Sequence, residues 1–164
     1  MIRLAAVALL AAAAPHQAKD SLGVFGDWGA FRDELRNGAG PRCYAIAMPA
    51  PSRLQRDHEP YATIATWPRR AIRGQVHFRL SRDLRDAAAV TLIMNGKRFT
   101  LTGGGADAWA QDRAMDAAIV AAMRSASRMT VSSVDRSGRR FSNTYTLDGA
   151  SSAMDAATVA CARR

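Results

Sequence analysis

Lysine is almost missing from this chain. Lys19 and Lys97 are the only two, so nearly all of its 23 basic residues are arginine. Such a skew follows codon composition as readily as ligand selection, so the formal net charge of +9 is no nucleic-acid signal by itself. No nucleic-acid partner is expected. Cysteine is scarce too: Cys43 and Cys161 stand alone, and no Cys-x-x-Cys exists to support a redox role. Histidine stops at His16, His58 and His77. Neither His58, in a charged loop, nor His77, on the polar side of a strand, belongs to a zinc-like cluster, so no metal is expected.

Catalytic signatures are lacking as well. No Gly-x-Ser-x-Gly elbow occurs, and Gly103-Gly104-Gly105-Ala106-Asp107 lacks the Gly-Lys-[Ser/Thr] ending of a phosphate loop. Those glycines read as a flexible connection. Asp27, beside Trp28 and between glycines, reads as a turn residue rather than a raised-pKa acid. No catalytic residue and no cofactor is expected. The alternative is a hydrolase whose site is assembled only in three dimensions, since geometry rather than spacing defines a triad.

What is present starts with a leader pattern. Met1-Ile2-Arg3 precedes an apolar run, Leu4 to Ala14, that is far shorter than the ~20 residues of a membrane span. It fits a secretory signal peptide over residues 1–18, cleaved after Ala18, with cleavage after Ala14 as the alternative. Residues 19–164 then form one domain with one core, without a transmembrane segment. In an oxidising compartment an even cysteine count makes a Cys43–Cys161 disulfide the default. The chain-entropy model gives a loop of that length ~4–5 kcal/mol.

The strongest local structural signal is a hairpin. Val90 to Met94 and Arg98 to Thr102 largely alternate apolar and polar residues, as half-buried strands do. Asn95-Gly96 between them tolerates the positive φ of a type I′ turn. Further strands are expected at Phe25–Phe31, Cys43–Met48, Ala62–Trp67, Gln75–Ser81, Met129–Asp135 and Arg140–Leu147. Asn37 to Pro41 and Met48 to Pro60 read as loops. Met115, Ile119, Ala122, Met123 and Ala126 share a helical face over about 112–126. Asp112 is its expected N-cap, and Asp116 is placed off the apolar face. Ser151 to Ala160 reads as a short C-terminal helix, capped by Asp148 or Ser151. Seven or eight strands with one amphipathic helix make a mainly β domain, a sandwich or small barrel.

The order of these pieces resembles a known family. Phe25-Gly26-Asp27-Trp28 opens the exported part, Arg42-Cys43-Tyr44-Ala45 follows, and the Asn-Gly hairpin precedes a helix ending near Ser125. Met129-Thr130-Val131, Tyr145 to Ala150 and Ala153-Met154-Asp155 complete the pattern. The chain resembles the invasion-associated locus B family of exported bacterial proteins. The resemblance implies an immunoglobulin-like β-sandwich, a periplasmic or secreted location, and no established catalytic residues. The leader, the single bridge, the strand pattern and the lack of a catalytic constellation lead to the expectation of a non-enzymatic, envelope-associated accessory or interaction role. Ala30, Phe31 and Arg32 stand where such proteins often carry a further cysteine.

One cluster stands out for binding. Trp67-Pro68-Arg69-Arg70-Ala71-Ile72-Arg73 sets an aromatic beside three guanidiniums, a chemistry suited to phosphate or carboxylate. Trp67, Arg69, Arg70 and Arg73 are therefore the candidate anion-binding or interaction patch. The partner would be a protein or an anionic envelope lipid or glycan. A solvated turn on an arginine-rich surface is the simpler explanation. Arg139-Arg140 and Arg163-Arg164 read as surface charge.

Overall fold

The computed structural model describes residues 19–35 and 40–162. The expected leader, loop residues 37–39 and Arg163-Arg164 lie outside them. The described chain runs β1 (Lys19–Phe25), β2 (Trp28–Leu35), β3 (Gly40–Ala47), β4 (Tyr61–Trp67) and β5 (Ile72–Arg79). It continues as β6 (Val90–Met94), β7 (Lys97–Gly104), β8 (Asp107–Trp109), α1 (Arg113–Met123), β9 (Arg128–Val134), β10 (Arg140–Thr146) and α2 (Ala150–Ala162). All neighbouring strands pair antiparallel, in the order β1-β2-β3-β4-β5-β8-β7-β6-β9-β10. The domain is mainly β, as expected. Its ten strands in one sheet are compatible with a sandwich and exceed the expected seven or eight.

The sheet turns a corner at β7. Residues 97–101 of that strand pair with β6, and residues 102–104 pair with β8. Gly103 permits the bend, because a Cβ there would press on Leu84 and Val90. The two halves then face one another, with the Phe78 and Tyr145 rings 5.9 Å apart. Trp28 closes the far side: its indole Nε1 donates to the Thr146 carbonyl at 2.9 Å. Nearby, the Ala50 amide donates to the Thr144 carbonyl at 2.8 Å, so β10 is partly covered at its open edge. One continuous core joins Trp28, Ile64, Phe78, Leu92, Met129 and Tyr145. Burying side chains of this size is worth ~1.5–3 kcal/mol each.

Both helices cover apolar sheet surface. Ile119, Ala122 and Met123 of α1 are buried, and Asp112 caps its start by accepting from the Met115 amide at 2.7 Å. Ala150, Ala153, Met154 and Ala157 of α2 are buried, and Cys161 is bridged to the fully buried Cys43 of β3. Gly149, at φ 80°, lets α2 start hard against the β1–β2 hairpin, where a Cβ would collide with the Phe25 carbonyl.

Three expectations are corrected. Phe25–Phe31 is no single strand: Gly26 and Asp27 form a turn between β1 and β2. The glycine run is no loose connection, because Gly103 and Gly104 belong to β7 and Gly105-Ala106 turns directly into β8. Asp116 does not lie off the buried face of its helix; it is buried against β5.

Candidate functional site

Strand alternation sends one set of side chains into the core and the other onto the outer face of the sheet. In β4, Ala62 and Ile64 are buried in the core, leaving Tyr61, Thr63 and Ala65 outside. In β5, Val76 and Phe78 point in, while Gln75, His77 and Arg79 point out. Register aligns these outer residues across four strands. One row runs Ile46, Thr63, His77, Trp109; the next runs Tyr44, Ala65, Gln75. Thr63 and Ala65 are small, so the large residues around them leave a groove of about 380 Å³. Its walls include Tyr44, Tyr61, Trp67 and Trp109.

The rings are held in place. His77 stacks on Trp109 with centroids 5.2 Å apart and meets Tyr61 edge-on at 5.8 Å. Asp107 accepts from His77 Nε2 at 2.9 Å and from Arg79 Nη1 at 2.7 Å. At the other end Arg42 lies over the Tyr44 ring at 4.5 Å and is paired with Asp33. Phe31 packs beside Tyr44 at 5.8 Å, with Lys19 Nζ 4.6 Å above its ring. Ion pairs exposed to this degree contribute only ~0–1 kcal/mol each, well below the core side chains. The outer face is therefore not what holds the fold together.

The arginine-rich cluster is not brought to one point. Trp67 ends β4 and lines the outer groove. Pro68–Arg70 forms a 3-10 turn closed by Ala71 at φ 53°. Gly74, at φ 65°, and a bulge between Ala65 and Trp67 break the strand alternation there. Arg73 consequently borders a second groove, of about 400 Å³, floored by Ala71, Ala117, Val120 and Ala162. Arg69 lays its stem over Gly40, and Arg70 is exposed.

Other titratable groups have structural partners. His58 Nε2 lies 3.1 Å from Asp83 Oδ1, and that bond, with Arg136 nearby, lowers the Asp83 pKa. Asp27 sits in its expected turn and accepts from the Thr146 hydroxyl. Asp135, 4% exposed, meets Arg82 Nη1 at 3.1 Å. The Ser137 hydroxyl and the Ser137 and Arg139 amides donate to it, lowering its pKa to about 2. Among the described residues, no group of three or more His, Cys, Asp or Glu is placed to hold a metal.

Of the groove residues, sequence reasoning reached only Trp67 as a binding candidate. The available signal was an aromatic on the polar phase of an alternating strand, as with Tyr61 beside Ala62. Which strands align those aromatics is set by register, which no single strand reveals.

Residues 69–158, more than half of the chain, match the family model described as Invasion associated locus B (IalB) protein. The chain belongs to the IalB family. No curated protein and no solved structure matches it. The IalB match takes in β5 to β10 and α1, with most of α2, and begins after β4. Gln75, His77 and Trp109 of the groove lie inside the IalB match, while Arg42, Tyr44, Tyr61, Thr63, Ala65 and Trp67 lie before it.

Proposed function

We propose that this IalB-family chain is an exported, non-enzymatic accessory protein of the cell envelope that works by presenting a binding surface. The Cys43–Cys161 bridge carries this reading, because disulfides form and persist outside the reducing cytosol. The leader pattern of residues 1–18 agrees with it. No helix among the described residues is long and apolar enough to cross a membrane. Cell fractionation with intact-mass analysis tests the proposal. The expected species is an envelope-fraction chain starting at Lys19 and lighter by two hydrogens than the dithiol. A cytosolic chain with its leader and two free thiols would overturn it. Turnover of generic ester, peptide or glycan substrates would replace it with the hydrolase alternative.

A second reading is recognition of an anionic envelope lipid or glycan through the arginine cluster. The second groove favours it, since Arg73 stands at the rim of an apolar floor. Flotation with vesicles containing an anionic phospholipid tests it. The expected binding weakens with salt and is lost in Arg70→Ala/Arg73→Ala; salt-independent binding, or none, eliminates it.

A further inference from the structure

We propose that the outer groove is a saccharide site, which takes a neutral pyranose unit of a glycan. This deepens the surface-binding role and rests on it. Three observations converge. First, the groove volume of about 380 Å³ falls within the range of small-ligand sites. Second, its lining combines ring surfaces with polar side chains. A pyranose ring has a face of C–H groups and a rim of hydroxyls. The C–H face packs on the electron-rich faces of aromatic rings. The hydroxyls lose water on binding and need donors and acceptors in return. Trp109 and Tyr61 supply ring surface here, and Gln75, Thr63 and Arg42 supply polar groups.

Third, both guanidiniums at this face are already paired. Arg42 faces Asp33, and Arg79 faces Asp107. A phosphate or carboxylate ligand would have to displace a carboxylate already paired with the guanidinium it needs. An uncharged polyhydroxyl ligand leaves both pairs intact and uses the remaining N–H groups. The paired guanidiniums favour a neutral glycan over a polyanion, and Lys19 is held over the Phe31 and Tyr44 rings rather than in the groove lining.

The chain carries three tryptophans, Trp28, Trp67 and Trp109. Trp28 is fully buried away from the groove lining and the other two line it, so a ligand-induced change in intrinsic fluorescence reports on the site. The full-length oxidised protein is titrated with N-acetylated chitotriose, cellotriose and maltotriose, followed by fluorescence and calorimetry. At least one is expected to give a saturable change, with an affinity that does not fall between about 50 mM and about 500 mM salt. Trp109→Ala is expected to weaken that binding about tenfold or more. Ala65→Leu fills the groove floor without removing a ring and is expected to abolish binding. Both variants are checked for an unchanged melting temperature, and Ala65→Leu decides if Trp109→Ala does not fold.

No saturable signal from any of the three sugars at ~10 mM would overturn the proposal. So would binding that survives both substitutions, or binding that salt removes. Failure with an oxidised, envelope-located protein rejects the saccharide alone. Free thiols in a cytosolic protein would reject the underlying role whatever the titration gives.

Discussion

The backbone amide of Val76 donates to the carboxylate of Asp116 at 2.8 Å, joining β5 to α1. The pairing of β8 with β5 ends at Trp109 opposite His77. Val76 therefore lies just beyond the reach of β8, and an amide there would otherwise be buried without an acceptor. Burial raises the Asp116 pKa, opposed by the Val76 hydrogen bond. The folded chain thus holds this proton to higher pH than the unfolded chain. The contribution of the group to stability is greatest below its ordinary value of 3.8 and falls as pH rises through the folded value.

Asp116→Asn keeps an acceptor oxygen and removes the charge. It is expected to be at least as stable as the parent at pH 7 and to lose this pH dependence. Asp116→Ala leaves the amide unpaired and is expected to cost ~1–3 kcal/mol. Urea unfolding at pH 4 and pH 7 measures both.

Tyr145 gives a prediction of opposite sign. Its ring is fully buried and its hydroxyl has no hydrogen-bond partner among the described residues. Burial pushes its pKa upward. Tyr145→Phe retains the ring packing on Phe78 and removes the unpaired group. A gain of ~1 kcal/mol, or no change, is expected in denaturant melts. A clear loss would mean that the hydroxyl has a stabilising role.

Asp135 should set part of the acid limit. Its pKa is lowered to about 2 from 3.8, chiefly by the Ser137 hydroxyl and then by the turn amides. The stability it contributes is present above 3.8 and is lost as pH falls through about 2. Asp135→Asn is expected to unfold at higher pH on acid titration and to melt lower at pH 7, where Arg82 loses the nearer and more buried of its two carboxylate partners. Circular dichroism across the acid range follows both effects.

Local chemistry was legible in the sequence, and long-range register was not. Asn95 and Gly96 take φ of 46° and 74° and join β6 to β7 as their residue types require. Asp112 caps α1, and the two cysteines pair. Each of these depends on a few neighbouring residues or on counting. Asp116 was misplaced because its amide partner lies 40 residues away in β5. β8 has only three residues, too few to display a period of two. The groove combines β3, β4, β5 and β8, so it exists only once pairing sets Tyr44 opposite Ala65 and His77 opposite Trp109.

The bridge is open to a direct stability measurement. With the cysteines separated by 118 positions, the chain-entropy model assigns the bridge ~5 kcal/mol, and removal from small domains costs ~2–5 kcal/mol. The buried face of α2, with Met154 and Ala157, keeps its own contacts. Cys43→Ala/Cys161→Ala is therefore expected to fold, with a lower denaturant midpoint. Equal midpoints for variant and parent would show that the link adds nothing to stability.

Residues 50–55 are exposed and fall between the two bridged positions. A protease that cuts there severs the polypeptide without releasing either piece. The nicked product should migrate as one species until a reductant attacks the bridge, which is reached through the half-buried Cys161 rather than the fully buried Cys43.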